Sequence, residues 1–224
     1  MSAADEGVVL TLDVQVPRGE VLRFLGYPPA KSPSTQVSAR LEPLLAIAPS
    51  LLRPRGAYVL SGRADALRVG VPRPTERIAF AICTIGLPLE EEEARLSRDG
   101  DALGAMILDA MGSAAAEAAA DRLHARVCAA VQAERLKAAM RISPGYGRWD
   151  LVRQTELLAR LPTAAVGVRL TSGSMMIPRK SVSFAVLTAD ASEKTSPARC
   201  AACDRNDCPY RRSEPSVRDD LETE

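Results

Sequence analysis

The sequence predicts an α+β fold. Residues 8–16 alternate with the period of a strand, a long alanine-rich helix runs from Asp101 to about Arg135, and strand-like segments return after it. Strands and helices that follow one another without regular β-α alternation argue for that class.

Taken in order, Val8, Leu10, Leu12, Val14 and Val16 alternate with Val9, Thr11, Asp13 and Gln15, the pattern of a half-buried strand. Pro17 opens a short helix over 19–25, which Gly26 closes. Pro28, Pro29 and Pro33 mark a loop. Residues 35–48 carry Leu41, Leu44 and Leu45 at helical spacing, with a disturbance expected at Pro43. Strands are expected over 57–62, 66–71 and 77–85, with Gly86 ending the last. The run Glu90–Glu93 reads as the solvated start of a helix. Asp101 can cap the next helix, which is about 50 Å long at 1.5 Å per residue. Its alanines favour helix formation and let neighbouring elements approach closely. Residues 136–141 are expected to be extended, because Pro144 and Gly145 soon stop any regular element. Residues 149–161 form an amphipathic helix with Leu151, Leu157, Leu158 and Leu161 on its apolar face. Strands follow over 167–170, 174–177 and 180–187.

The 224 residues suit one domain over 1–187 and a polar tail over 188–224. With 29 basic and 28 acidic residues, net charge gives no electrostatic case for nucleic acid. The acidic N-terminus has no apolar segment of the kind a signal peptide needs. No apolar run approaches the roughly 18 residues of a membrane span. A cytoplasmic protein is expected, without a membrane partner.

Candidate chemistry centres on Arg141-Ile-Ser-Pro-Gly-Tyr146. Arginine offers a planar donor fork suited to a carboxylate. Pro144-Gly145 makes a tight turn that exposes backbone groups, and Tyr146 offers a ring face and a hydroxyl. Glu117 sits among Ala114, Ala116, Ala118, Ala119 and Ala120, a small-residue groove where a carboxylate can meet a cation. Asp121 and His124 follow on the same helical face. His124 is the only histidine, so a multi-histidine metal site is excluded. Cys83 and Cys128 read as reduced core thiols. Cys200, Cys203 and Cys208 have Cys-x2-Cys-x4-Cys spacing, three soft ligands for zinc or an iron–sulfur cluster that would want a fourth.

Three segments together resemble the S-adenosylmethionine-binding activation domain of cobalamin-dependent methionine synthase. They are Ala116-Glu117-Ala118 with Leu123-His124-Ala125-Arg126-Val127, Arg141 to Tyr146, and Thr171 to Pro178 with Met176, which leads into Ser181-Val182-Ser183. The resemblance is clearest over 105–186. It implies a twisted, mainly antiparallel sheet with long helices. It also implies that Glu117, Arg141, Ser143 and Tyr146 bind S-adenosylmethionine. The chain departs from the family at Gly147-Arg148-Trp149-Asp150, at Ser172 and in its cysteine tail. It has no cobalamin-binding Asp-x-His-x-x-Gly segment, so the resemblance implies cobalamin presented by a partner.

The function implied is reactivation: support for reductive methylation of inactive cob(II)alamin on a corrinoid protein or on a methionine synthase lacking this domain. The chain would then be a subunit or accessory of a methyltransferase in methionine biosynthesis, and a flavodoxin- or ferredoxin-like protein would donate the electron. Two other readings stand beside it. One is a zinc or iron–sulfur redox or chaperone partner of a corrinoid protein; the other is a methyltransferase for another substrate, which lacks the usual glycine-rich Rossmann loop.

Overall fold

A computed structural model describes residues 7–28 and 31–189. The strands are β1 (Val8–Thr11), β2 (Arg55–Gly62), β3 (Arg77–Thr84), β4 (Lys137–Ile142), β5 (Arg169–Leu170), β6 (Met176–Ile177) and β7 (Ser181–Ala189). The helices are α1 (Arg18–Phe24), α2 (Thr35–Leu51), α3 (Arg63–Arg68), α4 (Pro88–Arg98), α5 (Ala102–Ala133), α6 (Gln154–Leu158) and α7 (Thr163–Val166). Five strands form an antiparallel sheet in the order β1-β2-β3-β7-β4, and β5 pairs with β6 in a separate hairpin. The class is α+β, as the sequence predicts.

The central strand β3 is buried on both faces, and the two faces differ in size. Ala79, Ala81 and Cys83 point to one side; Ile78, Phe80 and Ile82 point to the other. The small side receives α5, whose Ala115, Ala119 and Ala120 are fully buried against it. Small residues on both partners let the helix lie close to the sheet. Gly56 of β2 belongs to the same fit: a Cβ there would stand 3.2 Å from both Leu123 methyls. The bulky side is covered by α3, α6, α7 and Trp149, with Leu157 and Val166 completing a second core.

By length and composition α5 could cross a membrane, but 56% of its apolar window is buried within the domain. It serves here as the core helix. Asp101 caps it, accepting from the Gly104 amide at 2.8 Å, and also pairs with Arg40 of α2. At its far end Arg77 makes two bonds to Glu134, of 2.8 and 2.6 Å, tying β3 to the helix terminus.

Several expectations need correction. The segment 66–71 is not a strand: residues 63–68 are α3, and Ala66 and Val69 are both fully buried, three residues apart as on a helical face. The first strand ends at Thr11, because its partner β2 begins at Arg55 opposite it. Helix α2 continues through Pro43 and Pro49 to Leu51. The expected helix over 149–161 is a 3-10 turn at 151–153 followed by α6, because Trp149 is engaged in the preceding turn. Glu90 and Glu93 are not simply solvated; they hold Lys180 and Arg179.

Replacing Leu123 by Ala should cost about 2–5 kcal/mol in urea unfolding, because its site cannot collapse against the close-packed sheet. The Arg77 bond lowers the Glu134 pKa, so this pair stabilises the fold above the ordinary glutamate range and the contribution is lost as pH falls through the lowered value. Both side chains are about one-third exposed, so Glu134→Gln should cost under about 1 kcal/mol at pH 7 and less at pH 3.

Candidate functional site

Four polar side chains of α5 follow one another at four-residue intervals. Asp109, Ser113, Glu117 and Asp121 form one stripe along the helix. Each end of the stripe meets a cation. Lys180 Nζ donates to Asp109 Oδ1 at 2.6 Å and to Ser113 Oγ at 2.9 Å. Arg141 Nη2 lies 3.4 Å from Glu117 Oε2 and 3.3 Å from Asp121 Oδ1. The two pairs are eight residues apart, about 12 Å along the helix. A cleft of about 280 Å³ opens beside the middle of the stripe, lined by Phe24, Ser113, Ala116, Glu117, Arg179, Lys180 and Ser181.

The position of Arg141 follows from strand register. Ala138 pairs with Thr188, yet Arg141 pairs with Val186, so β4 carries one extra residue between them. Without that bulge Arg141 would sit opposite Ala185, which faces the bulky core. A one-residue slip moves a side chain to the other face of a sheet. The bulge therefore turns Arg141 beneath α5, on the same face as Phe184 and Val186. Its guanidinium carbon lies 5.0 Å from the Phe184 ring centroid, a cation–π contact. His124 meets the same ring edge-on at 6.3 Å.

The Arg141 side chain is only 1% exposed. Among the described residues its Nε and Nη1 have no hydrogen-bond partner. A buried donor left unsatisfied costs about 1–3 kcal/mol. A carboxylate with two free oxygens is the complementary group, because either edge of the fork, Nε with Nη2 or Nη1 with Nη2, can give it two parallel N–H bonds.

The turn after β4 presents Tyr146. Gly145 and Gly147 both have positive φ, +87° and +59°, which glycine tolerates and other residues resist. The Gly145 amide donates to the Trp149 carbonyl at 2.7 Å, and the Trp149 amide donates to the Tyr146 carbonyl at 3.2 Å. The buried Trp149 indole donates to the Val69 carbonyl at 3.3 Å and anchors this turn in the second core. Tyr146 is left 73% exposed. The Ser143 carbonyl accepts from the Tyr146 amide at 3.3 Å.

The structure thus brings Glu117 and Arg141 together. No hydrogen bond or cation–ring contact joins Tyr146 to either of them. The Thr171–Pro178 segment stands apart from them too. The Thr171 amide donates to the Met175 carbonyl and Thr171 Oγ1 accepts from the Met175 amide, closing a turn. Gln154 then donates to the Ser174 carbonyl at 2.8 Å and accepts from the Ser183 hydroxyl at 3.2 Å. Met176 packs on the second core. This segment meets neither Glu117 nor Arg141; what it does is deliver Lys180 and Ser181 to the cleft.

A larger cavity of about 680 Å³ lies beside β5, β6 and α7, lined mainly by Leu158, Val168, Leu170, Ile177 and Pro178. It holds none of the predicted binding residues and few polar groups. The smaller cleft, with its convergent charges, is the better candidate. Lys180, Asp109 and Ser113 were not singled out from sequence, although the four-residue spacing of Asp109 and Ser113 with Glu117 was there to be read. Glu90 fixes Lys180 by accepting from its amide at 2.7 Å.

Cys83 is a buried core thiol whose pKa burial drives far up, and burial raises that of Cys128 as well. Among the described residues, no group of three or more His, Cys, Asp or Glu could hold a metal ion. Cys200, Cys203 and Cys208 lie outside the described residues.

A family model described as the activation domain of vitamin B12 dependent methionine synthase matches residues 71–211. The chain belongs to that family. The match is wider than the segment 105–186 that carries the motifs and takes in β3, β7 and the whole of α5. A solved structure described as the MetH reactivation domain bound to AdoHcy has the same fold as this activation domain. It superposes with a TM-score of 0.61 at 17% identity, covering 84% of this chain and 81% of that one. No curated protein matches the chain.

Gln154 links the Thr171–Met175 turn of the activation domain to β7 from a buried position. Gln154→Leu should cost about 1–3 kcal/mol in urea unfolding, since a carbonyl and a hydroxyl lose their partner. Amide exchange should rise at Met175 while α5 stays protected.

Proposed function

We propose that this activation domain binds S-adenosylmethionine at the Arg141 end of the α5 stripe and serves a corrinoid protein in the cytoplasm. The observation that carries the reading is Arg141 itself: a buried guanidinium with two donors that lack partners among the described residues. An amino-acid ligand supplies the carboxylate that suits it. Glu117, which lines the cleft and faces Arg141, carries the charge suited to the ligand's cationic groups. Tyr146 stands exposed on the following turn, where its ring can pack on a ligand, and the backbone at Ser143 is the remaining contact.

The bound groups would supply the chemistry: a reductant such as a flavodoxin- or ferredoxin-like protein would give one electron to cob(II)alamin on the partner, and S-adenosylmethionine would give its methyl group, so that methylcobalamin forms and S-adenosylhomocysteine leaves. The chain's own residues bind and orient the methyl donor. Membership of the activation-domain family and the fold shared with an AdoHcy-bound reactivation domain support this reading.

The test combines calorimetry and a spectroscopic assay. S-adenosylmethionine should bind the purified chain, and Glu117→Gln and Arg141→Ala should each weaken binding at least about tenfold, the equivalent of 1.4 kcal/mol. Methylcobalamin formation from a cob(II)alamin-loaded corrinoid protein, reductant and S-adenosylmethionine should depend on adding the chain. Unchanged binding in both variants would remove the site assignment. Methyl transfer without corrinoid or reductant would favour an ordinary methyltransferase instead.

A further inference from the structure

Resting on the reading that the ligand's carboxylate meets Arg141, we infer that Asp121 is an internal competitor for that place, displaced when the ligand binds. Arg141 is 1% exposed at its side chain, so no ligand reaches the guanidinium unless a group moves aside. Two carboxylates stand at the same nitrogen, Nη2, at 3.3 Å for Asp121 and 3.4 Å for Glu117. Both distances exceed the 2.7–2.9 Å of a strong charge-assisted bond. Neither acid takes the bidentate position, and Nε and Nη1 keep their hydrogens unshared among the described residues.

Of the two acids, Asp121 is the one that can leave. Its side chain is 51% exposed, against 32% for Glu117, so its charge is already half hydrated. Glu117 also lines the cleft and stays with the ligand's cationic groups. Asp121 is tethered by a single methylene to a rigid helix, and a rotation about that bond is enough to turn it towards water. At Arg141 the exchange replaces a long contact to Nη2 by two parallel bonds to a ligand carboxylate, one of them from Nη2.

Apparent affinity is then reduced by the fraction of molecules in which Asp121 holds Arg141. The ligand class this device selects is an α-amino acid conjugate with a free carboxylate. A decarboxylated analogue gains nothing from the exchange.

The test is calorimetric titration of the full chain and of Asp121→Asn with S-adenosylmethionine and, separately, with decarboxylated S-adenosylmethionine. Asparagine keeps the shape and removes the charge. The variant should bind S-adenosylmethionine about five- to tenfold more tightly and the decarboxylated analogue no more tightly than the parent chain. Equal or weaker binding of S-adenosylmethionine by the variant overturns the inference, as does an equal gain for both ligands. Asp121→Ser gives the same readout should the asparagine variant not fold. Failure of the parent chain itself to bind S-adenosylmethionine is a separate result: it defeats the proposed function and this inference with it.

Discussion

A guanidinium can be held inside this domain only because a helix carries its countercharges to it. Arg141 rises from β4 into the space beneath α5, and Glu117 and Asp121 of that helix meet it there. An ion taken out of water costs several kcal/mol unless it is paired, and here the pairing is incomplete. Much of the surrounding structure serves this arrangement. Alanines on α5 and small residues on β3 let the helix lie close enough for short acidic side chains to reach the sheet. Phe184 supplies an apolar floor that favours a delocalised cation over a compact one.

The same helix organises the cleft that opens beside Glu117. Its stripe of polar residues places Lys180 about two turns from Arg141, with Glu117 between. Lys180 depends on α4, through Glu90, and on the hairpin before β7, through Gln154. The side of the sheet away from α5 therefore contributes to the site without touching it. Trp149 does likewise for Tyr146, because the indole buried in the second core fixes the turn on which the tyrosine is displayed.

The main architecture was legible because its signals are local. Local apolar patterning, the Asp101 cap and the alanine-rich run predict β3, β7 and α5 with small errors at the ends, whereas β1 stops at Thr11, well short of the alternation that runs to Val16. Glu117 and Arg141 were legible as a pair only through a family motif. Nothing local in the sequence announces the bulge after Ala138 that turns Arg141 towards the helix. The errors have physical causes. Residues 66–71 are apolar enough for a strand, but the fully buried Ala66 and Val69 lie three apart, and a short segment leaves little periodicity to read. The acids at 90–93 look solvated until the distant Arg179 and Lys180 are brought beside them. The Thr171–Pro178 motif was readable as a motif, but its place on the far side of the sheet was not.

Whether the ligand's carboxylate goes to Arg141 decides how this site works. A crystal structure of the chain with S-adenosylmethionine or AdoHcy examines this most directly. Two hydrogen bonds from the Arg141 guanidinium to the ligand carboxylate are expected, with Asp121 turned to solvent and Glu117 in contact with the ligand. A ligand bound elsewhere, with Arg141 still paired to Glu117 and Asp121, would overturn the assignment of this site.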